Sequence, residues 1–281
     1  MHISLDSALG RQKRLNSVGE SVLQIAPDAA AAYSLRSLTG GDPDVVRVRR
    51  ESDNTEKDFS GSQIESGEMA NWVGAGNDGY VQTWYDQSGN GNDAVQTTAS
   101  RQPKIVDGGS LVTGGIYFGG TDFLYKNSFT QGDLEQPNTI FSVAKMDLND
   151  NVTRRVYDGE IGIGSDGRTS LSLVSVGSGQ FSIYSGASLY TGDTATNDKH
   201  LFTASHNSTS SEFFIDGTSE ASGNAGDYSM DAIVIGASRF SAFIASAFWL
   251  GQIQEIIIYN SDQSSNRPAI EANINNQYDI Y

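Results

Sequence analysis

From Tyr80 onward the sequence breaks into short apolar runs that alternate with polar residues and end in clusters of Gly, Asn, Asp and Ser. The runs are Tyr80–Asp86, Gly115–Phe118, Thr139–Met146, Thr169–Val176, Gln180–Tyr184, His200–His206, Ser211–Asp216, Ala232–Ile235 and Gly251–Tyr259. A period of two over so few residues places side chains on alternate faces of a strand and leaves no room for crossover helices. Strands joined that way pair antiparallel, so the pattern predicts an all-β, antiparallel sandwich rather than an α/β sheet. With 31 glycines, 5 prolines and no change of composition after residue 28, residues 28–281 read as one domain.

Residues 1–27 differ from this. Leu5, Leu9, Val18, Val22 and Ile25 are spread at loosely helical intervals around a basic knot of Arg11, Lys13 and Arg14, and Pro27 closes the segment. Such a segment cannot build its own core, so it reads as an arm that docks on the domain, on a second copy or on another protein. Beyond it, Asp28 is placed to cap a helix over residues 29–38, stopped by Gly40-Gly41. Val45–Arg50 alternates as a half-exposed strand would, Ser52-Asp53-Asn54 reads as a turn, and a second short helix is expected over Glu68–Val73, ended by Gly74.

Charge narrows the partners. Eighteen basic against 34 acidic side chains give a net charge of −16, which repels phosphate backbones and anionic lipid. Nucleic acid is therefore not expected as a partner, and no run is long enough to insert into a membrane. Without cysteine there is neither a disulfide framework nor a thiolate site. The first residues lack a basic and then apolar secretory pattern, which implies synthesis and retention in cytosol until assembly, with secretion as the alternative.

Two stretches carry a resemblance to known families. Ala31–Leu38, Val46–Asn54 and Thr83-Trp84-Tyr85-Asp86-Gln87-Ser88-Gly89-Asn90-Gly91-Asn92-Asp93-Ala94 resemble the N-terminal half of the α-L-arabinofuranosidase B catalytic-domain family. Leu201–Ser205, Glu212-Phe213-Phe214-Ile215-Asp216-Gly217, Ile233–Gly236 and Leu250–Asn260 are similar to the end of a laminin G-like or concanavalin A-like module, with an acidic residue in its last strand. Both resemblances imply a jelly roll of two antiparallel sheets. The arm followed by this combination resembles structural proteins of marine tailed phages, which implies a virion protein of capsid or tail that is joined through Arg11, Lys13 and Arg14 to other virion proteins. Homo-oligomers and contact with cell-surface glycan are further expectations of that resemblance.

The local chemistry favours structure over catalysis. Asp86, with Ser88 and the permissive Gly89 and Gly91, reads as a structural turn in which the carboxylate accepts backbone amides. Hydrolysis of a glycoside needs two carboxylates at a set separation. Nothing nominates a partner for Asp86, and the adjacent cysteines of the arabinofuranosidase sugar subsite are missing. Asp158 and Glu160 are the only substitutes offered, and they read more simply as an acidic hairpin. No cofactor is expected, although Asp147, Asn149, Asp150 and Asn151 form an oxygen-rich loop that could hold calcium, and Asp122 with Asn127 flanks another. Contact with a partner or a glycan is assigned to Arg239, Phe240 and Phe243, whose segment lies between two strands with apolar residues that need cover, and to Trp249, whose flat face could stack on a sugar. His2, His200 and His206 are too scattered for a zinc triad, and no Ser–His–Asp arrangement can be argued. The sequence therefore points to a non-catalytic virion module, with a lectin and then an arabinofuranosidase-like hydrolase as alternatives.

Overall fold

A computed structural model describes residues 19–147, 152–159, 168–174, 179–192, 195–240 and 244–281. Their strands form an antiparallel β-sandwich whose sheet folds back on itself and nearly closes. One run of neighbours passes from Thr218–Gly223 through Ser211–Ile215, Lys199–His206 and Asn138–Met146 to Leu250–Tyr259. That last strand then divides its free edge. Ala29–Ser34 pairs along Glu255–Tyr259, and Ile116–Gly119 pairs along Leu250–Ile253. A second run passes from Ser188–Tyr190 through Gln180–Tyr184, Ser170–Val174, Arg154–Asp158, Ile233–Ile235 and Leu124–Lys126 to Ala94–Val95. Gly79–Trp84 joins the two, pairing with Ala94–Val95, Lys104–Asp107 and Asp44–Arg50.

The interior between the layers holds Trp84, Trp249, Tyr157, Phe118, Ile253 and Ile258 among many fully buried side chains. Trp249 is thus a core residue with no exposed face to offer a partner, contrary to its assignment as a contact. The central strands are apolar on their outer face as well. Phe141, Val143, Leu201, Ile257 and Tyr259 point away from the sandwich interior into a second apolar layer with Val22, Leu38, Ile270 and Ile274. What covers them is a helix, Arg267–Tyr278, which sequence reasoning missed. Two-sided burial explains why Ile256-Ile257-Ile258 reads as a continuous apolar run instead of alternating.

The helix expected over 29–38 is absent. Ala29–Ser34 is a strand buried along its whole length, and Asp28 sits at φ +68°, so it is not the extended residue that an N-cap requires. The four alanines favour helix by intrinsic propensity, but their small side chains also fit a strand enclosed on both faces, and that enclosure decides. The described end of the arm is packed as well: Val22–Ile25 forms one helical turn against Arg267–Tyr278, with Val22 and Ala26 buried. The packed domain therefore begins ahead of the boundary at residue 27. Arg11, Lys13 and Arg14 lie outside the described residues. The short helix Glu68–Val73 is present and ends at Gly74, whose φ of +89° suits glycine.

Candidate functional site

The Asp86 loop is bonded throughout to the sheet. Asp86 Oδ1 accepts the amides of Ala32 and Ser88 at 2.8 and 2.9 Å, while Oδ2 accepts the Ser88 hydroxyl and the Asn92 amide at 2.8 and 2.9 Å. Gln87 Nε2 donates to the carbonyls of Ser34 and Arg36, and Asn92 Nδ2 donates to that of Ala30. Gly89 and Gly91 turn the chain at φ +89° and +72°. The loop satisfies the free edge of Ala29–Ser34 as a neighbouring strand would. Its polar groups are engaged with the protein's own backbone.

An outward-facing row across four other strands is different. Register places Arg49 opposite Tyr80, Tyr80 opposite Lys104, and Lys104 opposite Tyr117. Val48, Val81, Ile105, Ile116 and Phe118, the neighbours of these residues along their strands, are buried inward, so alternation turns the four to the opposite, outer face of the sheet. They line an open cleft of about 470 Å³ together with Glu51, Asn54, Gln102 and Asp122.

The cleft's polar groups are held in place. The Arg49 guanidinium lies 5.1 Å from the centre of the Tyr80 ring, and Lys104 Nζ lies 5.8 Å from it. Arg49 Nε donates to Gln102 Oε1 at 2.7 Å, and Gln102 is itself fixed by donating to the Gln96 carbonyl. Lys104 bridges Asp107 and Asp78, which hold its ammonium charged well above the usual range. Burial pushes the Asp122 carboxyl above its ordinary value despite the Gly119 amide and the Thr121 hydroxyl that it accepts. Tyr117 is raised by burial and then by Asp147, which accepts its hydroxyl. An aromatic face flanked by fixed donors and acceptors suits a polyhydroxylated ligand with apolar C–H faces.

Other residues singled out in the sequence do not converge on a site. Asp158 is fully buried, and both its oxygens face Arg168 at 3.1 Å, with Arg155 at 3.4 Å. No substrate reaches it in that setting. Glu160 lies outside the described residues, as do Asn149, Asp150, Asn151 and Phe243. Among the described residues no group of three His, Asp or Glu converges as metal ligands do. The backbone of Ser238–Phe240, which carries Arg239 and Phe240, forms a hairpin with Ile244–Ser246.

One arrangement went unnoticed in the sequence because its parts come together only in the fold. His200 Nδ1 lies 2.7 Å from Asp216 Oδ2, and His200 Nε2 lies 2.8 Å from Thr196 Oγ1. The spacing resembles a nucleophile–base–acid relay. However, the Thr196 hydroxyl donates to Asp198 Oδ2 at 2.9 Å, so the proton a nucleophile must surrender to histidine is committed elsewhere.

No family model and no curated protein matches the sequence. Solved structures do. A GH54 α-L-arabinofuranosidase soaked with a cyclic sulfate inhibitor superposes with a TM-score of 0.67 at 12% identity, over 90% of this chain and 64% of that one. An arabinofuranosidase complexed with arabinofuranosyl-α-1,2-xylobiose gives 0.67 at 13% identity over the same shares. A Trypanosoma rangeli sialidase in complex with sialic acid is more distant, with a TM-score of 0.45 at 17% identity over 68% of this chain and 31% of that one. The chain spans 64% of the length of the arabinofuranosidases. At this identity the likeness is one of fold, and it is the β-sandwich just described.

Proposed function

We propose that the chain is a non-catalytic β-sandwich module of a phage particle that touches saccharide through the Arg49–Tyr117 cleft. The observation that carries the saccharide contact is the cross-strand row of cation, tyrosine, cation and tyrosine along an open trough. Absence of catalysis is favoured by the state of the acids: Asp158 is enclosed by two arginines, and both oxygens of Asp122 accept from its own turn. The place on a virion rests on the sequence resemblance, with residues 1–18 joining the module to other virion proteins and copies of itself. A glycan array followed by calorimetry tests the contact. Binding that falls at least tenfold in Tyr117→Ala supports it, and an array without any bound glycan removes it. Deleting residues 1–18 should leave a folded domain that no longer joins particles, and normal incorporation of that variant would remove the virion assignment.

A glycosidase is the rival reading, favoured by the raised carboxyl of Asp122 in the same cleft as Glu51. Release of arabinose from 4-nitrophenyl arabinoside, lost in Asp122→Asn, would establish it instead.

A further inference from the structure

We propose that the cleft selects acidic saccharides, with the guanidinium of Arg49 receiving a sugar carboxylate; this rests on the saccharide reading above. Arg49 is 9% exposed, yet its hydrogen-bond partners are all neutral oxygens, Gln102 Oε1 at 2.7 Å, Asn54 Oδ1 at 2.9 Å and the Ala99 carbonyl at 3.5 Å, and its face meets only the neutral Tyr80 ring. No ion pair within the described residues includes it. A cation withdrawn from water without a counter-charge is unfavourable unless something supplies one.

A guanidinium has five N–H donors, and these three contacts use one on each nitrogen. One donor remains on each terminal nitrogen. Two donors on adjacent nitrogens match the two oxygens of a planar carboxylate, the geometry in which arginine binds acids most strongly. Arg49 also lines the cleft, so the fork borders space a ligand can enter.

The neighbouring charges permit this. Lys104, two strands along the row, is paired with Asp78 and Asp107, so it adds no uncancelled charge, but its ammonium has three donors of which those acids take two. The acids on the cleft are Glu51, which is exposed to solvent screening, and Asp122, whose oxygens are occupied by the Gly119 amide and the Thr121 hydroxyl. The Tyr117 ring, next in the row after Lys104, offers a face for the sugar that carries the acid.

The test is calorimetry on the full chain with oligomers of galacturonic and of glucuronic acid, each beside its carboxyl-reduced neutral counterpart. The acid form of at least one pair should bind tenfold or more tightly than its neutral partner, and the preference should weaken as salt rises. Arg49→Gln should abolish that preference, and Arg49→Lys should retain part of it. Equal affinity for the acid and neutral forms would overturn the inference while leaving saccharide binding intact. Binding of neither form, with no glycan bound on the array, would overturn both. The acid-to-neutral comparison is made on the unaltered chain, so it stands even if an Arg49 variant fails to fold.

Discussion

Two buried arginines in this molecule are compensated in different ways. Arg36 meets Glu255 through two parallel bonds of 2.8 and 2.9 Å, and the 1% exposed carboxylate also accepts from Ser34 Oγ and the Tyr278 hydroxyl. Burial works against the Arg36 charge, and Glu255 more than offsets it, so the guanidinium is held charged above its ordinary range. Arg49 is at least as enclosed, but it meets amide and carbonyl oxygens and the face of the Tyr80 ring, with no carboxylate. The first arginine ties together an edge strand, the last strand and the C-terminal helix. The second faces a cleft with its charge uncancelled, and this separates an interior fastening from a group left for a ligand.

The comparison breaks most directly at the fastening. Glu255→Ala should lower unfolding free energy by about 3–5 kcal/mol in urea titration, because it strands a buried guanidinium. A loss below about 1 kcal/mol would mean that the pair is not enclosed as described. A third buried group resolves the same problem by remaining neutral. Among the described residues His206 has no hydrogen-bond partner for either ring nitrogen, and burial depresses its pKa to about 3. Its folded value lies below the unfolded one of 6.5, so the unfolded chain takes up the proton first as pH falls. Stability should be unaffected by this group above pH 6.5 and fall by up to about 1.4 kcal/mol per pH unit between there and about 3. His206→Leu should remove that part of the acid sensitivity, which unfolding curves at pH 7 and pH 4.5 would register.

Arg49→Gln should cost less than the Glu255 change, about 1–2 kcal/mol for hydrogen bonds with no ion pair to break. A loss as large as that of Glu255→Ala would show that Arg49 is a structural fastening too. At the surface, Lys57 and Glu68 lie 2.9 Å apart with both side chains well exposed, and a double-mutant cycle should return no more than about 1 kcal/mol.

The strands after Tyr80 were legible because a period of two survives wherever one face meets the core. His200–His206 and Gly251–Tyr259 match the observed Lys199–His206 and Leu250–Tyr259 to within a residue. Ala29–Ser34 was illegible for the opposite reason: both faces are buried, alternation vanishes, and alanine's propensity then suggests helix. The C-terminal helix left a signal that went unread, with Pro268 in its first turn and Ile270, Ile274 and Tyr278 at intervals of four. For the cleft, Arg49, Tyr80, Lys104 and Tyr117 each stand out as a polar or amphipathic residue beside apolar ones. Their meeting in one row depends on strand register, which joins positions 49 and 117 and is not written locally. Aromatic content alone misled, since Trp249 lies in the core.

The loop around Asp86 also bears on how such molecules behave in company. By occupying the open margin of Ala29–Ser34 with side-chain donors and acceptors, it denies that margin to the backbone of a second molecule. Many copies held side by side could then touch through their faces without zipping along this border into a continuous fibre.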